Sequence, residues 1–116
     1  MNMKIFSSQV RKAYKAIEGC CNWELSDYLD FFCIFFRLHK YKTGHEHYNI
    51  PTERLQDIME NLCFVMDDDG NYIEVYPEDS EAIIRQYFRT YFDCDYSIYH
   101  FMSGNIRLYR IYELGL

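Results

Sequence analysis

A chain of 116 residues, 49% of them hydrophobic and 26% charged, is long enough for one packed domain and too balanced in composition to be disordered. The longest apolar run, Phe31–Phe36, is far shorter than the roughly 20 residues of a membrane span, and no secretion signal opens the chain. We therefore expect a single cytoplasmic domain over residues 1–116. The odd count of five cysteines, with Cys20 and Cys21 adjacent, favours reduced thiols over a disulfide framework.

Four segments carry apolar side chains at helical spacing, with capping residues or proline near their starts. Gly19 and Gly44 supply the left-handed stops expected after the first two segments. The sequence therefore predicts helices over about 8–18, about 22–42 and 51–62, and a fourth that starts at Asp79 or Ser80.

The stretch MDDDGNYIEVY, which begins at Met66, resembles a calcium loop in its run of acids before a glycine. Aligning Gly70 with the sixth position of such a loop places Val65 and Tyr76 where the ion needs its first and last ligands. Asp69-Gly70 is instead a preferred pair for a two-residue hairpin turn. The sequence therefore predicts an antiparallel β-hairpin over residues 63–76.

A two-residue turn at this point also fixes which side chains share a face of the hairpin. Opposite residues then pair Met66 with Ile73 and Phe64 with Val75, so these four apolar side chains form the buried face. The other face is predicted to carry Val65, Asp67, Tyr72 and Glu74.

The C-terminal part of the chain gives weaker signals. Residues 96–102 fit a short helix or a strand equally well, whereas 106–112 favours a strand that pairs with residues 2–6. The expected fold is therefore α+β, with about four helices, a central antiparallel hairpin and a C-terminal strand or hairpin.

The order helix, helix, hairpin is similar to that of a winged-helix unit, with 51–62 as the recognition helix and 63–76 as the wing. The charges of these two segments do not suit DNA, because a DNA-binding surface needs Lys and Arg to replace phosphate counterions. Between Glu53 and Glu81 there are ten acidic residues and one basic residue, Arg54. We expect this surface to repel a nucleic acid.

An acidic surface of this kind indicates a non-catalytic protein-binding module that engages a basic partner surface. A phage or mobile-element inhibitor that acts as a nucleic-acid mimic would have such a surface. The expected partner-binding residues are Glu53, Asp57, Glu60, Asp67, Asp68, Asp69, Tyr72, Glu74 and Tyr76.

One alternative is a nucleic-acid-binding protein, because Arg and Tyr interleave in segments 85–92 and 106–113 as they do in single-strand binders. The residues that would bind nucleic acid are Arg85, Arg89, Arg107, Tyr109 and Arg110.

A metal-dependent enzyme is the other alternative, and it has less support. No nucleophile, P-loop or zinc-protease motif occurs, so the chain is expected not to be an enzyme and to need no cofactor. His39, His45 and His47 are too few for a structural zinc site, which takes four ligands, so no metal is expected. Cys94 lies between two aspartates, which disfavour a thiolate.

Overall fold

The computed structural model describes residues 1–19 and 22–116, so the thiols expected at Cys20 and Cys21 lie outside the described residues. The described residues form six α-helices and one two-stranded hairpin, with a radius of gyration of 13.6 Å. The elements in chain order are α1 (Met3–Ile17), α2 (Leu25–Thr43), α3 (Thr52–Asn61), β1 (Phe64–Met66), β2 (Tyr72–Glu74), α4 (Ser80–Arg89), α5 (Ile98–Met102) and α6 (Ile106–Leu114), with a 3-10 turn over Pro77–Asp79 before α4.

Helix α1 begins five residues earlier than the sequence predicts. The Asn2 side-chain oxygen accepts hydrogen bonds from the backbone N–H groups of Lys4 and Ile5, at 3.0 and 3.2 Å. Asn2 is therefore the N-cap, and Ser7 and Ser8, near the predicted start, lie inside the helix. The buried stripe consequently starts at Phe6, one helical turn before Val10.

The core is built around the aromatic side chains of α2. Phe31, Phe32 and Phe35 are almost completely buried. Phe35 contacts the rings of Tyr87 and Phe101 at centroid distances of 6.2 and 5.3 Å, which joins α2 to α4 and α5. Around this centre, α1 packs on α3, α2 packs on α4, and α6 packs on α4 and α5. The fold is a compact α+β arrangement, and a winged-helix unit is not shown.

The hairpin is confirmed, but its predicted register and two-residue turn are wrong. Cα partners are Phe64 with Glu74, Val65 with Ile73, and Met66 with Tyr72. Five residues, 67–71, connect the strands, and this one-residue shift exchanges the two faces of β1 while the β2 side chains keep their predicted faces. The buried face therefore carries Cys63, Val65, Ile73 and Val75, and the outer face carries Phe64, Met66, Tyr72 and Glu74.

The prediction of a C-terminal strand or hairpin is wrong as well. Residues 98–102 form the short helix α5, and Ile106–Leu114 forms α6, so no strand is available to pair with residues 2–6, which lie largely in α1. Gly115 has φ +72 and donates its N–H to the Tyr112 carbonyl, which ends α6 as a left-handed cap. Together with α5, this raises the helix count from the expected four to six.

Within the described ranges, none of the helices combines the length and the apolar composition that a membrane span requires.

Candidate functional site

The hairpin tip is held in shape by Asp67. Its Oδ1 accepts hydrogen bonds from the backbone N–H groups of Asp69 and Asn71, at 2.9 and 2.8 Å, and its own N–H donates to the Asn71 carbonyl. Gly70 completes the loop at φ +83, where a side chain would be strained. Asp68 and Asp69 are exposed at this fixed tip.

The outer face of the hairpin is apolar next to these acids. Met66 is 49% exposed and Tyr72 is 67% exposed. The rings of Phe64 and Tyr72 meet edge to face at a centroid distance of 4.9 Å. An aromatic pair with a flexible methionine on an open strand face is typical of protein-binding surfaces.

Helix α6 adds two tyrosines beside the tip. Tyr109 and Tyr112 are about half exposed, and their ring centroids are 6.3 Å apart. Desolvation, followed by the charges of the three tip aspartates, raises the pKa of Tyr112. Helix α6 also contacts β1, so its exposed tyrosines belong to the same end of the molecule as the hairpin. The sequence analysis did not select Tyr112, because the i, i+3 spacing of the two tyrosines is visible only once 106–114 is assigned as helix.

Other predicted acids lie on α3. Glu53, Asp57 and Glu60 are exposed and follow one face of the helix, because they are spaced four and three residues apart. Arg54 stacks over the ring of Tyr99 at 4.3 Å, and Asp57 lines a shallow hollow beside this pair. The structure therefore divides the predicted binding residues between α3 and the hairpin.

Glu74 and Tyr76 line an open cleft between the hairpin, α4 and α6. The Glu74 carboxylate accepts a hydrogen bond from Asn22 Nδ2 at 2.9 Å, and Trp23 Nε1 donates to the Val75 carbonyl at 2.8 Å. These two bonds anchor the last strand to the segment before α2. The acid and the tyrosine are thus held at the edge of the cleft.

Few of the acids in the region from Glu53 to Glu81 are neutralised by a neighbour. In the part of the chain that the structure describes, the ion pairs are Lys40–Glu46, Glu81–Arg85 and Arg110–Glu113. Of the acids in this region only Glu81 belongs to such a pair. The surface consequently keeps an uncompensated negative charge.

The arginines of the alternative nucleic-acid surface are largely engaged with the protein itself. Arg85 pairs with Glu81, and Arg107 is desolvated enough to lower its pKa to about 10 while Nη1 donates to a backbone carbonyl at 3.1 Å. Arg110 is 6% exposed and donates Nε to Glu113 at 2.6 Å. Its guanidinium also stacks over the Phe92 ring at 5.3 Å.

Arg89 and Tyr109 are the remaining members of that alternative set, and both are exposed. They lie on different helices, α4 and α6, which pack against each other. Two such residues fall well short of the groove of stacked aromatics and cations that single-strand binding uses.

The three histidines considered as zinc ligands, His39, His45 and His47, do not form a shared metal site. His39 and His47 are buried, with ring centroids 4.9 Å apart, whereas His45 is exposed. His47 uses both ring nitrogens in hydrogen bonds to the backbone. Across residues 1–19 and 22–116, no group of three or more His, Cys, Asp or Glu is placed to hold a metal ion.

A Cys–His pair does occur, around His100. Cys94 Sγ lies 3.5 Å from His100 Nδ1, and the Tyr87 hydroxyl lies 2.8 Å from the same nitrogen. Burial raises the pKa of Tyr87, so its hydroxyl stays protonated. The hydroxyl and the thiol therefore share one ring nitrogen of His100.

No protein-family model, curated protein or solved structure matches the chain. The function of the chain is consequently inferred from the surface described above.

Proposed function

We propose that this protein is a small, non-catalytic protein-binding module that presents an acidic, tyrosine-rich surface to a basic partner surface. The observation that carries the proposal is the position of the tip aspartates beside exposed aromatic side chains. Asp68 and Asp69 are exposed at the tip, Met66 and Tyr72 flank them on the outer hairpin face, and Tyr112 is exposed on α6, which contacts β1. We name this set of five residues the tip surface.

The tip surface suits a partner that carries Arg and Lys. Uncompensated acids attract such a partner before contact and raise the association rate. Exposed tyrosines then offer flat rings on which a guanidinium group can stack, and they lose little side-chain entropy on binding. The acids thus speed the encounter with the partner, and the tyrosines stabilise the bound complex.

A basic surface that normally holds nucleic acid is the partner class we favour. Such surfaces are rich in Arg and Lys that are spaced to meet phosphates. An acidic hairpin could occupy one and block its nucleic acid, which is how a phage or mobile-element inhibitor of this type would act. The resemblance in order to a winged-helix unit is not needed for this role.

Partner capture provides the test. The tagged chain is used as bait in extract from its native cell, captured proteins are identified by mass spectrometry, and each is purified for titration. Changing Asp68 and Asp69 to Asn removes two charges and leaves the structural Asp67 in place. We expect about tenfold weaker binding, and a smaller difference between the two proteins at high salt.

The matched control removes the same charge from other exposed positions, with Glu18→Gln and Asp93→Asn. Affinity for the purified partner should then stay within about twofold of the original, since long-range charge has only a weak effect at physiological salt. Equal losses in the two double variants, or no loss in D68N/D69N, would falsify the proposal.

The nucleic-acid alternative has its own measurement. Fluorescence anisotropy with labelled single- and double-stranded oligonucleotides at low salt should show no binding at high micromolar protein. Tight binding that is lost when Arg89 and Tyr109 are changed to Ala would favour the alternative instead.

A further inference from the structure

The cleft between the hairpin, α4 and α6 has a volume of about 430 Å³, within the range of sites that hold ligands or side chains. Its floor is aliphatic, and its edge is polar. The floor residues are Ile73, Val75, Ile83 and Ile111, Leu116 forms a wall, and the edge residues are Glu74, Tyr76 and Asp79.

The cleft follows from the way in which α6 ends. Beyond Gly115 the chain turns back, and the Leu116 N–H donates to the Ile111 carbonyl at 3.1 Å. This helix-ending motif typically brings an apolar side chain over the last turn. Leu116 is nevertheless 54% exposed, so its side chain forms an open wall and is not packed into the core.

The charges at the edge restrict what can enter. Glu74 and Asp79 contribute carboxylates, and among the described residues that line the cleft there is no Lys, Arg or His. An apolar side chain that enters the cleft therefore binds most tightly when positively charged residues flank it on both sides. A second copy of this chain, with a net charge of −6, would bring acids against acids.

We propose that the cleft receives one branched aliphatic side chain, such as Leu or Ile, from a partner segment in which Arg or Lys flanks that side chain. The flanking cations meet Glu74 and Asp79, and the exposed ring of Tyr76 covers the stem of the segment. This inference rests on the proposed function, because it specifies the kind of basic partner. It adds an apolar anchor that electrostatics alone would not require.

Short fluorescein-labelled peptides of equal length test the cleft directly. The first carries Leu between pairs of Arg, the second replaces that Leu with Ser, and the third places Leu between pairs of Glu. We expect the Arg-Leu peptide to bind at least about tenfold more tightly than the Arg-Ser peptide, because one buried aliphatic side chain contributes that much. The Glu-Leu peptide should not bind.

Two variants with one matched control locate the binding. Leu116→Asn should reduce the affinity of the Arg-Leu peptide to that of the Arg-Ser peptide, and Asp79→Asn should weaken both Arg peptides a few-fold. Ile5→Asn changes an aliphatic residue on α1 that is also exposed, at 62%, and should leave all affinities unchanged. Circular dichroism verifies that each variant is folded.

The possible outcomes separate the two proposals. Equal affinity of the Arg-Leu and Arg-Ser peptides overturns the cleft inference and leaves the acidic tip surface standing. Failure of both Arg peptides to bind overturns both proposals, and binding of the Glu-Leu peptide overturns the charge argument. A dimer that sedimentation detects in the original chain and that L116N abolishes would identify a second copy as the occupant, which also overturns the inference.

Discussion

At the scale of single residues, the hydrogen-bond partners of His47 fix its protonation state. Its Nε2 lies 3.0 Å from the Ile98 backbone nitrogen, which can only donate, so Nε2 must accept. The proton therefore sits on Nδ1, which donates to the Tyr48 carbonyl at 2.8 Å. Protonating Nε2 would remove the acceptor that the buried Ile98 N–H needs.

His39 next to it is also held neutral. Its Nε2 donates to the Asp95 carbonyl at 3.2 Å, and its Nδ1 is buried with no hydrogen-bond partner. Burial is the main reason why the pKa values of His39 and His47 are lowered from 6.5. Two neutral imidazoles thus meet edge to face in the interior.

We expect this pair to make the fold sensitive to mild acid. The unfolded chain takes up protons near pH 6.5, whereas the buried imidazoles resist them, so the free energy of unfolding falls as the pH drops below about 6.5. Each histidine should contribute up to about 1.4 kcal/mol per pH unit. Urea denaturation between about pH 7 and pH 5 measures the slope.

His47→Gln is the comparison that assigns the slope, because the amide oxygen can still accept the Ile98 N–H. The variant should lose the contribution of one histidine. Glu46 and Glu113 do not confuse the measurement, since hydrogen bonds from Lys40 and Arg110 lower their pKa values from 4.5, outside this pH window. Equal slopes in the two proteins would contradict the assignment.

At the scale of elements, the hairpin shows which part of a turn can be read from sequence. The Asp69-Gly70 pair correctly indicated a turn between two strands. The register depended on Asp67, whose side chain accepts two backbone N–H groups and holds a longer loop closed. Asp is common in loops for this reason, but sequence alone does not show which of three consecutive aspartates has this role.

Because of this register, two neighbouring residues of β1 differ strongly in burial. Val65 is 5% exposed and Met66 is 49% exposed. We expect Val65→Ala to reduce the free energy of unfolding by about 1–3 kcal/mol, and Met66→Ala to change it by less than about 0.5 kcal/mol. Urea titrations of both variants measure the difference.

The two-residue turn predicted from sequence would require the reverse order, with the larger loss at Met66. The two substitutions therefore control for each other, because both remove apolar side-chain atoms from the same strand.

Helix α6 shows how a strand-like composition can mislead. Ile, Leu and Tyr favour strands in general, but Leu108 and Ile111 are buried one helical turn apart, and Arg110 pairs with Glu113 three residues on. The sequence does contain one signal for the end of a helix, Gly115, which adopts the left-handed conformation. Once α6 is a helix, Tyr109 and Tyr112 fall on one exposed face, which the sequence analysis could not establish.

At the scale of the whole molecule, the sequence predicted α2, α3 and α4 closely, because each has an apolar stripe and a recognisable cap or proline near its ends. The candidate surface was predicted only in outline. Its acids are consecutive along the chain, but the packing of α6 on β1 and the inward orientation of Arg110 depend on tertiary structure. No local pattern encodes that packing.

Phe35 is the residue of the aromatic core on which we expect the stability of the molecule to depend most clearly. It is fully buried and contacts rings on its own helix, α4 and α5. We expect Phe35→Ala to reduce the free energy of unfolding by about 3–5 kcal/mol, a large share of the roughly 5–15 kcal/mol typical of a domain. Circular dichroism during urea denaturation provides the measurement.

Tyr91→Ala is the matched control, because this aromatic side chain is 82% exposed. Its effect should be within about 0.5 kcal/mol. Similar losses in the two variants would mean that the helices are not held together through Phe35.

The arginines of α6 make the formal charge a poor description of the outside of this protein. Electrophoresis would register all 12 Lys and Arg residues and a total of −6. A partner in contact is screened from distant charges by salt beyond about 8 Å, so it responds to the side chains that it touches. On that surface Arg110 is covered, and Arg107 is half-buried and donates to the Asn61 carbonyl. At close range the molecule is therefore a stronger anion than its titration curve suggests.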